Sequence, residues 1–312
     1  FSPEYPGAVS LFVHDTSRLS KYKKNIIIYG NTNFKKIFNL KYKNITLSKL
    51  RFSSQSKKYV NEFYKLEKKN NSDLIEIHNR PNYLFTLIPK LGKKNYVIYF
   101  HNDPLTMAGS KSINERKYLL KNCYKIVFNS NWSKKRFLEG MQNKFINSDK
   151  LLVVFQSAKK EIINLRNKKK IITFVGKLNK SKGYDLFGGA ILKILNKHPD
   201  WSANVIGDEH RDKILFEHKN MKHHGFIKHS KVLDIYKKTS IAVVCSRWEE
   251  PFGRTSLEAS SNGCAVIISN RGGLPETITN GIILNKLDVK TIYKNIDKLI
   301  KDIKLRNKLQ TL

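Results

Sequence analysis

A chain of 312 residues with 40% hydrophobic and 11% aromatic content is long enough for two domains and too apolar to be disordered. Three widely spaced cysteines fit neither a disulfide framework nor a zinc site, and no apolar run is long enough to cross a bilayer or read as a secretory signal, so the expected home is a reducing cytoplasm. The formal net charge of +34 leaves two explanations open, an anionic partner (nucleic acid or a membrane face) or the Lys, Asn and Ile bias of an A+T-rich genome, and the spread of lysines along the whole length favours the second.

In chain order, residues 1–7 read as a loop. Short apolar runs then predict strands at Ile26–Tyr29, Leu74–His78, Tyr96–Phe100, Ile126–Phe128 and Leu151–Phe155. Helical patterns lie between them at Tyr59–Lys69 and Ser133–Glu139, the latter with Ser130 or Ser133 as its cap. This alternation implies a parallel sheet with helices on both faces. The charged, weakly patterned stretch Ser157–Lys170 is the linker candidate. Strands resume at Ile171–Val175, Ala203–Ile206, Ile241–Cys245, Ala265–Ser269 and Gly281–Leu284. The expected division is therefore an N-terminal domain over 1–160 and a C-terminal domain over 161–312. No GxGxxG fingerprint is present, and Gly176–Gly183 has the wrong order for a Walker A loop, which argues against nicotinamide, flavin and P-loop chemistry.

The most informative segment is Trp248–Ala259. Two carboxylates, Glu250 and Glu258, stand either side of a Pro-Phe-Gly turn that leads into a helix. A glycine and small hydroxyl residues at a helix start leave backbone N–H groups pointing outward, which suits a diphosphate. Flanking carboxylates suit the hydroxyls on either side of it. The bland alternative is an ordinary acidic helix N-terminus. The position between two buried-strand runs, where ligands bind at the carboxyl ends of strands, favours the ligand.

This segment resembles the acidic motif of family 4 type retaining glycosyltransferases of the GT-B fold: Glu, seven residues, Glu. Phe174–Gly183, with its Gly176, Lys177 and Lys182-Gly183, is similar to a second element of that family. His223–Ile227 is similar to a third, the loop bordering the nucleobase, and Arg271–Glu276 adds a Gly-Gly-Leu-Pro-Glu stretch. The resemblance implies two Rossmann-like α/β domains facing a central cleft, with the first strand and the last helix of the family missing from this chain.

It also implies roles. Lys182, with Lys177 where the family often has Arg, would offset charge on the leaving diphosphate. Glu258 would hold the ribose and Glu250 the transferred sugar, while the backbone of Phe252, Gly253 and Arg254 and the hydroxyls of Thr255 and Ser256 would line the sugar and phosphates. Ile227 would border the base. His101, at a strand end, would lie near the reaction centre, and Gly7 would approach the diphosphate. Arg80 is an acceptor-binding candidate, with a structural role equally open. His210, His218, His223, His224 and His229 match no zinc spacing, and no cofactor or metal is expected. The implied activity is transfer of a sugar, with retention, from a nucleotide-diphosphate sugar to a hydroxyl of a surface glycan or lipid-linked intermediate such as a lipopolysaccharide precursor. An anionic membrane surface is a candidate partner, from the inner face. Other GT-B enzymes, an α-glucan synthase or a sugar-nucleotide epimerase, are the rivals. Nucleic-acid binding is set aside because the aromatics fall inside apolar runs.

Overall fold

The structure, a computed structural model, describes residues 1–47, 54–142, 149–209 and 214–311. The chain divides into two compact units, Phe1–Phe155 and Gln156–Leu312.

In the first unit, α1 (Ala8–Leu19) is followed by β1 (Ile28–Gly30) and β2 (Tyr42–Asn44), which pair in parallel as a separate two-stranded ladder. The run at Ile26–Tyr29 was expected within the main sheet. Its strand is short and only half-buried, without the covering on both faces that a central parallel strand needs. The main sheet is parallel, in the order β3 (Leu74–His78), β4 (Asn95–Phe100), β5 (Lys125–Phe128), β6 (Leu151–Val153). Helix α2 (Gln55–Asn70) leads into β3, and α3 (Leu84–Leu91), α4 (Ile113–Asn122) and α5 (Asn131–Leu138) connect the successive strands. Ser130 caps α5, accepting from the Ser133 N–H at 3.0 Å. Ile75, Ile77, Ile98, Phe100, Ile126 and Phe128 form the core with Leu84, Leu119 and Phe137 from the helices.

The second unit carries a six-stranded parallel sheet. Its strands are β7 (Lys169–Val175), β8 (Ser202–Ile206), β9 (Met221–His223), β10 (Thr239–Val244), β11 (Ala265–Ser269) and β12 (Ile282–Leu284), ordered β12-β11-β10-β7-β8-β9. Read from the other edge, this is the doubly wound order in which direction of winding reverses between the first and fourth strands, here β7 and β10. β10 and β11 are buried along their whole length because helices cover both faces. One face packs on α6 (Tyr184–Lys197) and α9 (Val289–Lys301), through Phe174, Phe187, Ile191 and Ile296. The other packs on α7 (His229–Lys238) and α8 (Arg254–Ser261), through Val232, Tyr236, Ala259 and Ile268. The last described helix is α10 (Ile303–Thr311).

Two expectations need correction. His223, read as the start of a loop, ends the edge strand Met221–His223, whose short and exposed run is too weak to register as a strand pattern. The supposed linker is fastened to the second unit: the Glu161 N–H donates to Ser261 O (3.1 Å), and the Lys168 ammonium donates to Tyr236 O and Asn262 O (3.0 and 2.6 Å). Those carbonyls lie near the C-terminal ends of α7 and α8, where a cation is stabilised. A boundary drawn after residue 160 would cut through this segment.

Candidate functional site

The carboxyl ends of β7 and β10 flank the switch point, and two turns meet there. After β7, Asn179 organises the first turn: its Oδ1 accepts from the Lys182 N–H (3.0 Å) and the Ser181 hydroxyl (2.9 Å). Gly183 then adopts φ +73°, and a Cβ there would stand 1.9 Å from Cys245 O, so only glycine allows the close approach of the two loops. After β10, the loop is stitched to that turn. The N–H groups of Arg247 and Trp248 both donate to Ser181 O (2.9 and 3.0 Å). The Arg247 guanidinium makes a two-pronged pair with Asp185 (2.6 and 2.7 Å), which holds the Asp185 carboxyl below its usual range.

This stitching brings Lys182 to Glu250, with Nζ 2.5 Å from Oε1. The two were singled out separately in the sequence, 68 residues apart, and the fold makes them neighbours. Glu250 is held from behind by the Gly-Gly stretch: its carbonyl accepts from the Gly273 N–H at 2.7 Å, and a Cβ on Gly272 would stand 2.2 Å from that carbonyl. Lys177 is exposed, and Phe252 is buried.

Gly253 is the N-cap of α8 at φ +129° and supplies no side-chain cap. The first intrahelical bond there is Leu257 N–H to Gly253 O at 3.3 Å, so the N–H groups of Thr255 and Ser256, in the first turn, lie ahead of the helix's own ladder. Thr255 is half-buried. The Ser256 hydroxyl departs from expectation: the side chain is fully buried, with Oγ bonded to Gly253 O (2.7 Å) and the Thr277 hydroxyl (2.6 Å), so it braces the turn.

Glu258 is buried one turn into α8. Its Oε1 accepts from Arg254 Nε (2.7 Å) and meets His229 Nε2 (2.9 Å). The side chain of Arg254, noted in the sequence only for its backbone, is thus a clamp on Glu258, as is His229 at the start of α7. The i, i+4 spacing of Arg254 and Glu258 was available in the sequence; the His229 contact was not. Ile227 packs on the core beside Val232 and borders a cavity of about 940 Å³. That cavity lies between residues 161–169 and α7, and neither Lys182, Glu250 nor Glu258 lines it, so it is separate from the chemistry of the switch point. His224 bonds Asn204 Oδ1 (2.8 Å) and His223 bonds Phe216 O (2.9 Å), while His210 lies outside the described residues. Among the described residues no group of three or more His, Cys, Asp or Glu could hold a metal ion.

In the first unit, His101 follows β4 and is buried. Its backbone is held on both sides: its N–H donates to Asn79 Oδ1 (3.2 Å), and its carbonyl accepts from Asn129 Nδ2 (3.0 Å). Asn79 takes φ +63°, one of two non-glycine residues at positive φ among the described residues. The ring of His101 shares a hydrogen bond with His78, Nε2 to Nδ1 at 3.1 Å, and packs edge-on against Phe12 at 5.0 Å. Burial, and secondarily the neighbouring His78, push the His101 imidazolium down to about 3, so the ring is neutral at ordinary pH. His78 in turn stacks on Tyr99 at 4.6 Å and lies 3.7 Å from Glu76. Arg80 is exposed, and its guanidinium donates to Asn79 O (3.1 Å). Gly7 caps α1 at φ −75° with open space where a Cβ would stand, so nothing in the chain's own packing demands glycine there. Asp103 is occupied by Arg136, which donates from Nε and Nη2 (3.2 and 3.1 Å).

Comparison with known proteins gives three results. A model of the glycosyl transferases group 1 family matches residues 155–311. Among curated proteins, the chain is similar to spore coat protein SA of Bacillus subtilis, 33% identical over 158 residues, and to the lipopolysaccharide core biosynthesis mannosyltransferase LpsB of Rhizobium meliloti, 30% identical over 132. The matched stretches are 45% and 39% of this chain and only 42% and 37% of those relatives. Among solved structures, Anabaena HepE in complex with UDP-glucose superposes with a TM-score of 0.77 at 15% identity, over 100% of this chain and 91% of that one. That likeness establishes the fold, GT-B, with two Rossmann-like α/β domains.

Proposed function

The chain belongs to the glycosyl transferases group 1 family, and from that premise we propose that it transfers a sugar from a nucleotide-diphosphate sugar to a hydroxyl acceptor with retention of configuration. One observation carries this reading: at the β7/β10 switch point the fold joins Lys182 to Glu250 (2.5 Å) beside the uncapped start of α8, with Glu258 clamped one turn further on. A cation and a row of backbone donors suit a diphosphate whose negative charge grows as the glycosidic bond breaks. Carboxylates on either side suit the hydroxyls of ribose and sugar.

In the retaining step, the acceptor oxygen attacks the anomeric carbon from the face the leaving group vacates. The bond to the diphosphate oxygen breaks, and the acceptor proton passes to a phosphate oxygen. Lys182 stabilises that charge, so the step is proposed to need no divalent metal. Lys177, Gly7, Arg80 and His101 keep the roles the resemblance suggests, with His101 as a neutral hydrogen-bonding group. A surface glycan or lipid-linked intermediate is the proposed acceptor, supported by the similarity to LpsB, a lipopolysaccharide core biosynthesis mannosyltransferase. An anionic membrane face on the cytoplasmic side is the proposed location, supported by the +34 charge.

The test is thermal shift against UDP-, GDP- and ADP-sugars, followed by turnover of whichever stabilises the protein, with and without chelator. Stabilisation by one nucleotide class and chelator-resistant transfer are expected. No shift with any nucleotide sugar would overturn the assignment, and rescue of a chelated enzyme by Mg²⁺ would overturn the metal-free step.

A further inference from the structure

The alternation along β3 and β4 sorts their side chains between two faces. Ile75 and Ile77 of β3, with Tyr96, Ile98 and Phe100 of β4, enter the core. Glu76 and His78, and Tyr99 with His101 just past the end of β4, therefore share the opposite face. The register pairs His78 with Tyr99, so His101, two residues on, is the diagonal neighbour of His78. Phe12 of α1 covers the group, with ring centroids 6.1 Å from His78, 5.7 Å from Tyr99 and 5.0 Å from His101. The result is a chain of polar contacts: Glu76 Oε2 lies 3.7 Å from His78 Nε2, and His78 Nδ1 lies 3.1 Å from His101 Nε2. Tyr99 steadies the outer end, its hydroxyl donating to Glu76 Oε1 at 3.4 Å. Burial, and then Glu76, hold that hydroxyl well above its usual range, so it stays a donor.

A hydrogen bond between two neutral imidazoles needs one nitrogen that carries a proton and one that does not. Glu76 decides which is which. At 3.7 Å its carboxylate is beyond hydrogen-bond length but close enough to act through its charge. It favours the His78 tautomer whose proton sits on Nε2, facing the negative charge. His78 Nδ1 is then the acceptor, His101 Nε2–H is the donor, and His101 Nδ1 carries the lone pair. We infer that Glu76 and His78 are positioning residues that set the tautomer of His101, so that its Nδ1 acts only as a hydrogen-bond acceptor. The catalytic consequence rests on the transferase reading: His101 accepts from a sugar hydroxyl and offers no donor at Nδ1 to a phosphate oxygen. The reverse tautomer would do the opposite.

The experiment is NMR of the histidine ring nitrogens in the isotopically labelled whole chain, with the His78 and His101 signals assigned by their loss in His78→Phe and His101→Phe. Both rings of the parent should carry the proton on Nε2. Glu76 is 45% exposed, so a Lys is accommodated in its place. Glu76→Lys sets a cation beside His78 Nε2 and should move both protons to Nδ1, reversing the shared bond. A parent His101 protonated on Nδ1, or tautomers that stay the same in Glu76→Lys, would overturn the inference. Turnover gives a second readout. Glu76→Lys and His78→Phe should each slow transfer at least about tenfold, as for one lost hydrogen bond, with the nucleotide thermal shift unchanged. His78→Asn, whose side-chain oxygen takes the place of Nδ1 as acceptor, should recover most of that loss. Equal turnover in His78→Asn and His78→Phe would also overturn the inference. The spectra need no substrate, so a protein that turns over no nucleotide sugar would sink the transferase reading while leaving the tautomer result standing.

Discussion

His101 offers the most direct test of the electrostatics. In the unfolded chain its imidazole binds a proton below about pH 6.5, whereas in the folded protein burial and His78 hold it neutral down to about 3. Between those values the unfolded state carries the extra proton, so acid favours unfolding and stability falls as pH falls. From pH 7 to pH 5 this single group should cost the first unit about 2 kcal/mol. The perturbation is His101→Phe, which keeps an aromatic ring against Phe12 and removes the titrating group. The assay is urea denaturation followed by the signal of the first unit at pH 7 and pH 5. The variant should be less stable than the parent at pH 7, because His78 loses its 3.1 Å partner, but its loss between the two pH values should be smaller by about 2 kcal/mol. Direct observation of the His101 ring by NMR should show no titration over the same range. Equal pH sensitivity in both proteins, or a ring that titrates near pH 6.5, would refute the burial argument and reopen a charged role for this histidine.

Glu258→Ala should weaken nucleotide binding by about 1.5–3 kcal/mol, as for a lost hydrogen bond to a charged group, and Arg254→Met by less, because His229 still orients the carboxylate; calorimetry with equal affinities for parent and Glu258→Ala would sink the assignment. Lys182→Ala should slow transfer at least about a hundredfold. In a double-mutant cycle Lys182→Ala and Glu250→Gln should be non-additive by about 1 kcal/mol or more, since their charges touch, and strictly additive losses in turnover would count against their acting as a unit. Gly183→Ala should lower stability by at least about 2 kcal/mol, through both its positive φ and the 1.9 Å approach to Cys245 O; a melting temperature within a degree or so of the parent would show that the two loops can separate freely.

The sequence by itself determined the elements whose burial is complete. Ala265–Ser269 was legible to the residue because a strand covered by helices must be apolar along its length, and a run of such residues has few other readings. The Glu-Pro-Phe-Gly turn into α8 was legible because glycine and a helix start are local features. What the sequence left open depends on pairs far apart in the chain or on which way a side chain turns. The edge strand Met221–His223 is too short and too exposed to carry a pattern of its own. Ser256 has the composition of a donor but is drawn inward by Thr277, 21 residues away. Lys168 sits in a stretch with the charge of a linker and is captured by two helix-end carbonyls that only the tertiary structure brings to it. The site shows the same division. Lys182, Glu250 and Glu258 were each visible from local motifs, whereas the Lys182–Glu250 pair, the His229 clamp and the His78–His101 contact arise because parallel strands lay the ends of distant segments side by side.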